Sequence, residues 1–304
     1  MRIAGFALWL GFLFVLPGSG VETEVTRILG LALFVVIPLG LDLSRPGRER
    51  PSNMFAAVKY LQPFAAVVAA SAFLLPAGVL AGTLAIAWLP LTGLLAIDAF
   101  ARILKRGFTP LEELAVDVAG LYLPVGALWL WASRMGFEPF GFTEPIVVLT
   151  AVHFHFAGFA GPVLAGLAGR RLRKQEDGPS PVYAVAVALI LAGPALVAAG
   201  FFLPAWAEAL AVALLAAGYT VLALIILFRV IRSIEKTLPR LMLVVSSLSI
   251  LLAVAGGVLF AAGNASRMVF IPIETMVLVH GWVNAVGFVL LGLLGWVVVR
   301  RDAD

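Results

Sequence analysis

The stretch Leu149-Thr150-Ala151-Val152-His153-Phe154-His155-Phe156-Ala157-Gly158-Phe159-Ala160-Gly161 decides how this chain is read. It lies within an apolar run over roughly residues 145–168, and a helix needs about 17–25 residues to cross a bilayer. Two imidazoles stand near the middle of that run. The chain has three histidines, and the third, His280, sits in a second such run, Val279-His280-Gly281-Trp282-Val283-Asn284-Ala285-Val286-Gly287-Phe288. Ionisable groups at membrane depth are costly, and by default they mark a functional site.

Outward from the histidines, comparable runs fill the chain, at roughly 3–17, 25–41, 54–76, 78–104, 116–134, 145–168, 182–203, 205–229, 240–262 and 274–299. Of the 304 residues 62% are hydrophobic and 12% charged, where a soluble domain carries about 25% charged residues. The expectation is an all-α fold, a polytopic transmembrane bundle of about ten helices. No linker or low-complexity segment interrupts it, so residues 1–304 read as a single integral-membrane domain. The first run is short. Met1-Arg2 before it and Pro17-Gly18-Ser19-Gly20 after it give the outline of a signal peptide, but no A-x-A site follows and a retained helix is expected.

The loops alternate in charge. One side carries Arg2, Arg45, Arg48, Arg50, Arg102, Lys105, Arg106, Arg170, Arg171, Arg173, Lys174, Arg229, Arg232, Lys236, Arg240, Arg300 and Arg301. The other carries Arg27, Arg134 and Arg267 among Glu22, Glu24, Glu138, Glu144, Glu208 and Glu274. The positive-inside rule places the basic side and both termini in the cytoplasm, in a multi-pass protein of the inner (plasma) membrane. The net charge of +4 thus reports topology. No basic aromatic surface points to nucleic acid, and the expected partner is the lipid bilayer. Trp9, Trp88, Trp129, Trp131, Trp206 and Trp296 lie mostly near segment ends, as interfacial anchors do.

On a regular helix, residues two apart point about 200° from each other, so His153 and His155 cannot chelate one metal ion. The H-x-x-x-H spacing of a one-faced zinc site is absent, and with no cysteine there are no thiolate ligands or disulfides. His280 is followed one turn on by Asn284, with Gly287 extending the stripe, and His155 leads into Gly158, Pro162, Gly166 and Gly169. Such flat faces suit three roles. They permit hydrogen-bonded close packing of helices; axial ligation of haem or binding of a transition metal by His153, His155 and His280; or a proton or substrate pathway. Thr150, Asn284, Gly158, Gly287 and Asp98 are the supporting residues.

Other intramembrane polar groups read more plainly. Asp98 precedes Arg102 by four residues, which offers an ion pair near the interface. Lys59 is placed to snorkel. Glu112, Glu113 and Asp117 read as solvated loop charge, and Glu208 and Glu274 likewise on the opposite side. Pro38, Pro63, Pro90, Pro124, Pro162 and Pro194 imply kinks. Gly161, Gly166 and Gly169 recur at the spacing of Gly287, Gly292 and Gly295, a pattern of small-residue packing. No Walker-type loop, G-x-S-x-G elbow or H-E-x-x-H motif is present.

Thr150-Ala151-Val152-His153-Phe154-His155-Phe156-Ala157-Gly158-Phe159, followed four helices later by His280-Gly281-x-x-Asn284-Ala285-x-Gly287-Phe288, resembles the YndJ-like family of bacterial polytopic membrane proteins. The resemblance covers most of the chain and implies a bacterial multi-pass protein; it brings no activity with it. Locally, Val152-His153-Phe154-His155-Phe156 is similar to the H-F-H-Y helix of haem–copper oxidases, and His280-Gly281 to their H-G helix. That likeness implies one haem shared by His155 and His280, with His153 facing a second site. The two motifs stand in reverse chain order, and no further histidines exist to hold copper. The resulting expectation is an intramembrane histidine site binding haem or a metal in a redox or sensing role. The alternatives are a transporter with a histidine pathway for a proton or small-molecule ligand, and a membrane enzyme acting on a lipophilic substrate.

Overall fold

The computed structural model describes residues 2–16, 18–45, 51–175 and 178–301. Met1, Pro17, Arg48 and Arg50, invoked above, lie outside the described residues. Among the described residues all regular structure is helical. Helix α1 is Arg2–Val15. Nine longer helices follow: α2 Val21–Ser44, α3 Asn53–Leu74, α4 Val79–Arg106, α5 Leu111–Met135, α6 Ile146–Leu172, α7 Pro181–Gly200, α8 Ala205–Ser233, α9 Thr237–Ser266 and α10 Ile273–Arg300. All nine are long and apolar enough to cross a membrane. The ten apolar segments are therefore ten helices, of which α1, at 14 residues, reaches only about 21 Å against a hydrocarbon core of about 30 Å.

The chain forms two compact units, Met1–Thr109 with Val116–Ala160, and Pro110–Ala115 with Gly161–Asp304. In the first, α2 is apolar nearly all round and mostly buried, as such a helix must be. Helix α1 lies on it: the Trp9 indole donates to the Arg27 carbonyl at 3.1 Å, and the Phe12 ring lies where a side chain on Gly30 would stand.

Proline shapes the interior in two ways. Lacking an N–H and crowding the carbonyl four residues back, Pro38 and Pro162 each follow a widened π-helical stretch, Ala32–Val36 and Phe154–Ala160. Such stretches re-satisfy freed backbone groups at membrane depth. Pro90 acts more sharply. The carbonyl it displaces belongs to Ile86, and α4 breaks there into i→i+3 bonds, Ala87 N to Leu84 O at 3.2 Å and Leu89 N to Ile86 O at 3.1 Å. Helical structure resumes at Trp88. Trp88 is consequently fully buried rather than an interfacial anchor, and Trp296 is buried too. Pro63, Pro124 and Pro194 sit inside uninterrupted helices.

Three acidic groups near the basic loops, Asp98, Glu112 and Asp117, are buried. Glu112 is 2% exposed and Asp117 0%. Asp117 lies between Arg102 at 2.9 Å and Arg106 at 2.7 Å. Buried Asp98 accepts from Arg45 and from Ser52, partners in and beside a loop that local spacing does not reveal. Lys59 snorkels only as far as Asp42, 2.5 Å away. In the second unit a fork of two hydrogen bonds, 2.6 and 2.8 Å, joins Arg170 to Glu113, and Arg173 grips Glu112. The Glu112 carboxylate holds the Arg173 guanidinium above its ordinary basicity. The reading of Glu112, Glu113 and Asp117 as solvated charge fails because each has a guanidinium within reach, and a buried charge persists only when so paired.

Candidate functional site

Each unit contains one histidine whose two ring nitrogens are both engaged. In the first unit, α6 is regular to His153 and widens from Phe154. His155 is fully buried. Its Nδ1 lies 2.7 Å from the Ala151 carbonyl one turn back, and the Trp88 indole N–H donates to its Nε2 at 2.9 Å. The two rings stack at 18°. Indole can only donate, so Nε2 is the acceptor and the proton resides on Nδ1, which donates to Ala151. This ring is neutral and fully satisfied. His153 is half-buried, edge-on to Phe154. The Thr150 hydroxyl donates to the Ile146 carbonyl of its own helix at 2.8 Å, and Gly158 admits Tyr122.

Gly126 on α5 admits the imidazole: a Cβ there would stand 2.7 Å from His155 Nδ1 and 3.1 Å from Phe154 Cβ. Gly126→Ala is therefore expected to destabilise the protein by about 1–3 kcal/mol through overpacking. Thermal unfolding of the detergent-solubilised protein measures this, and an unchanged midpoint contradicts it.

In the second unit, His280 and Asn284 lie on the π-helical stretches Val277–Gly281 and Val283–Leu290 of α10. His280 Nδ1 is 2.7 Å from the Ala253 carbonyl on α9. The Asn284 amide nitrogen is 3.0 Å from Nε2. Gly257 lies under the ring, where a Cβ would be 3.4 Å from Cε1. Farther along, Gly287 approaches Ser249 so closely that a Cβ would be 2.5 Å from its hydroxyl oxygen, and Ser246 donates to the Phe288 carbonyl at 2.7 Å. Ser249, Ala253 and Gly257 recur every four residues and so share one face of α9. That face meets His280 and Gly287. Unlike His155, His280 and Asn284 are only partly buried.

His153 and His155 belong to the first unit and His280 to the second. For either His155 or His280 to ligate haem iron through Nε2, Trp88 or Asn284 would have to yield that nitrogen. Among the described residues no three His, Cys, Asp or Glu side chains gather as a metal-binding group. Sequence reading missed Trp88, Gly126, the Ala253 carbonyl and Ser249. The break at Pro90 was the available signal for Trp88, and the run Ser246-Ser247-Leu248-Ser249 was the signal for a polar face on α9.

Among the described residues, nine helices long and apolar enough to cross a membrane, two of them carrying hydrogen-bonded histidines, define a polytopic α-helical membrane protein. The chain belongs to the YndJ-like protein family, whose model matches residues 27–288. It is 30% identical over 216 residues to "Uncharacterized membrane protein YndJ" of Bacillus subtilis (strain 168), a match covering 71% of this chain and 38% of that protein. The chain therefore spans about two fifths of that relative's length. No solved structure matches it.

Proposed function

We propose that this is a multi-pass protein of the bacterial plasma membrane, both termini cytoplasmic, whose His280–Asn284 pair takes up and releases a proton. That is the chemistry of a proton-coupled transporter. One observation carries the reading: the partner of His280 Nε2 is an amide, which can donate or accept. In the neutral ring, Asn284 donates to Nε2 and Nδ1–H donates to Ala253. On protonation, Nε2–H needs an acceptor, and turning the amide over supplies Oδ1. Neither state leaves a buried polar group unsatisfied. His155 has no such freedom, since a protonated Nε2 would face the Trp88 N–H donor to donor.

Nitrogen-15 NMR of the histidine rings, with the protein in lipid nanodiscs, tests this. His280 should titrate between about pH 5 and 8, with His155 neutral throughout. Asn284→Leu, which removes the acceptor, should weaken proton binding at His280 by about tenfold or more, the equivalent of roughly 1.4 kcal/mol. A His280 ring that stays neutral across that range sinks the reading. A Soret band in the purified protein would instead favour the rival role, haem or metal binding for redox or sensing.

A further inference from the structure

We infer that the His280 site binds a carboxylate together with its proton, with Ser249 and Asn284 holding the carboxylate oxygens beside the charged ring. The inference rests on the proton-exchange reading above. It starts from charge: a protonated imidazole at membrane depth needs a counter-charge. Elsewhere the chain supplies one for its buried ions, Asp98 with Arg45, Asp117 with Arg102 and Arg106, and Glu112 with Arg173. Around His280, among the described residues, it does not. Helix α9 presents the Ala253 carbonyl, Gly256 and Gly257 to the ring, and α10 itself presents Asn284 and Met276.

The charged groups toward the outer ends of these helices do not fill the role. Glu274 is exposed and precedes His280 by six residues, about 9 Å of helix. Arg267 is exposed and carries the wrong sign. Glu208, on α8, hydrogen-bonds Asn264, eleven residues beyond Ala253 on α9, about 16 Å of helix. The anion must therefore come with the ligand.

The site has donors to receive it. Ser249 has no hydrogen-bond partner among the described residues, and its hydroxyl lies against Gly287, one turn of α9 from Ala253. Asn284 lies on the same widened stretch of α10 as Gly287. Once a carboxylate accepts from Nε2–H, the Asn284 amide is free to turn its N–H to the same group. Ring N–H and amide N–H from α10 then meet the carboxylate, with the Ser249 O–H on the facing α9, one turn from the Ala253 carbonyl that holds the ring. With a single positive charge, the site favours a monovalent anion. Such a group could arrive from water on a short acid or from the bilayer on a fatty acid; Leu278 and Val279, beside His280, are both exposed.

By linkage, proton and anion raise each other's affinity by the same factor. The test is the His280 NMR titration of the full chain in nanodiscs containing sodium chloride, sodium propionate or sodium laurate at equal ionic strength. Propionate, laurate or both should raise the proton affinity of His280 about tenfold or more over chloride, which corresponds to roughly 1.4 kcal/mol. A response to propionate alone identifies an aqueous ligand, and one to laurate alone a lipid-borne ligand. Ser249→Ala should remove most of the gain. If His280 titrates in chloride and neither carboxylate moves it, the carboxylate site is overturned while the proton site stands. A ring that never titrates removes both.

Discussion

Replacing Arg102 and Arg106 together by alanine is expected to destabilise the protein by about 3–5 kcal/mol, the usual penalty for stranding one member of a buried ion pair. Asp117 is fully buried, and the two guanidiniums meet its two oxygens from α4, 2.9 and 2.7 Å away. They are themselves partly exposed, at 17% and 24%, so the asymmetry is marked. Losing Asp117 leaves two cations that can turn toward water, while losing the arginines leaves an anion that cannot. Against a total stability of about 5–15 kcal/mol, the double substitution should sharply reduce the yield of monodisperse protein and lower its unfolding temperature. Adding Asp117→Asn should restore most of the loss, because the stranded charge is gone. Lys59→Ala supplies the contrast. The Lys59–Asp42 pair is 39% and 26% exposed, and such pairs contribute about 1 kcal/mol or less. A triple variant no more stable than the double one would show that the arginines act by packing rather than by charge.

The same residues show what was legible in the sequence. Helix number and approximate bounds follow from apolar runs separated by charge, because a spanning helix is a local object whose length the bilayer dictates. The short reach of α1 was visible for the same reason. Partners across helices were not. Spacing offers Asp98 a neighbour in Arg102, whereas Arg45 and Ser52 come to it from about 50 residues away in the chain. Glu112 looks like a loop charge until α6 brings the end of its last turn, and Arg173 beyond it, into contact. Trp88 looks like an anchor because it follows an apolar run; Pro90 breaks the helix just before it and leaves it inside the span. The histidines were found at once, since a rare ionisable residue in an apolar run is conspicuous. What each imidazole could do depends on whether its neighbour only donates or can also accept, and a single strand of sequence does not carry that.

His155 is where that distinction has its largest structural consequence. His155→Ala should cost about 3–5 kcal/mol, combining the cavity left by the ring with the unsatisfied Trp88 N–H, about 1–3 kcal/mol by itself. Trp88→Phe should cost less, since most of the aromatic bulk remains, although it strands Nε2. A double-mutant cycle between the two should give a coupling of about 0.6–1.7 kcal/mol, the range seen for hydrogen bonds between membrane helices. The glycine opposite supplies a sharper check. In the native protein a Cβ on Gly126 collides with the imidazole, and in the His155→Ala background only the 3.1 Å approach to Phe154 Cβ remains. Gly126→Ala should then lose most of its cost, a strong departure from additivity of the kind adjacent sites show. Through all these changes the His280 titration should hold its position, because its hydrogen bonds run to Ala253 and Asn284 in the other unit. A His155→Ala protein that keeps its stability but loses proton exchange at His280 would reverse the assignment, making His155 the working imidazole and His280 the packing one.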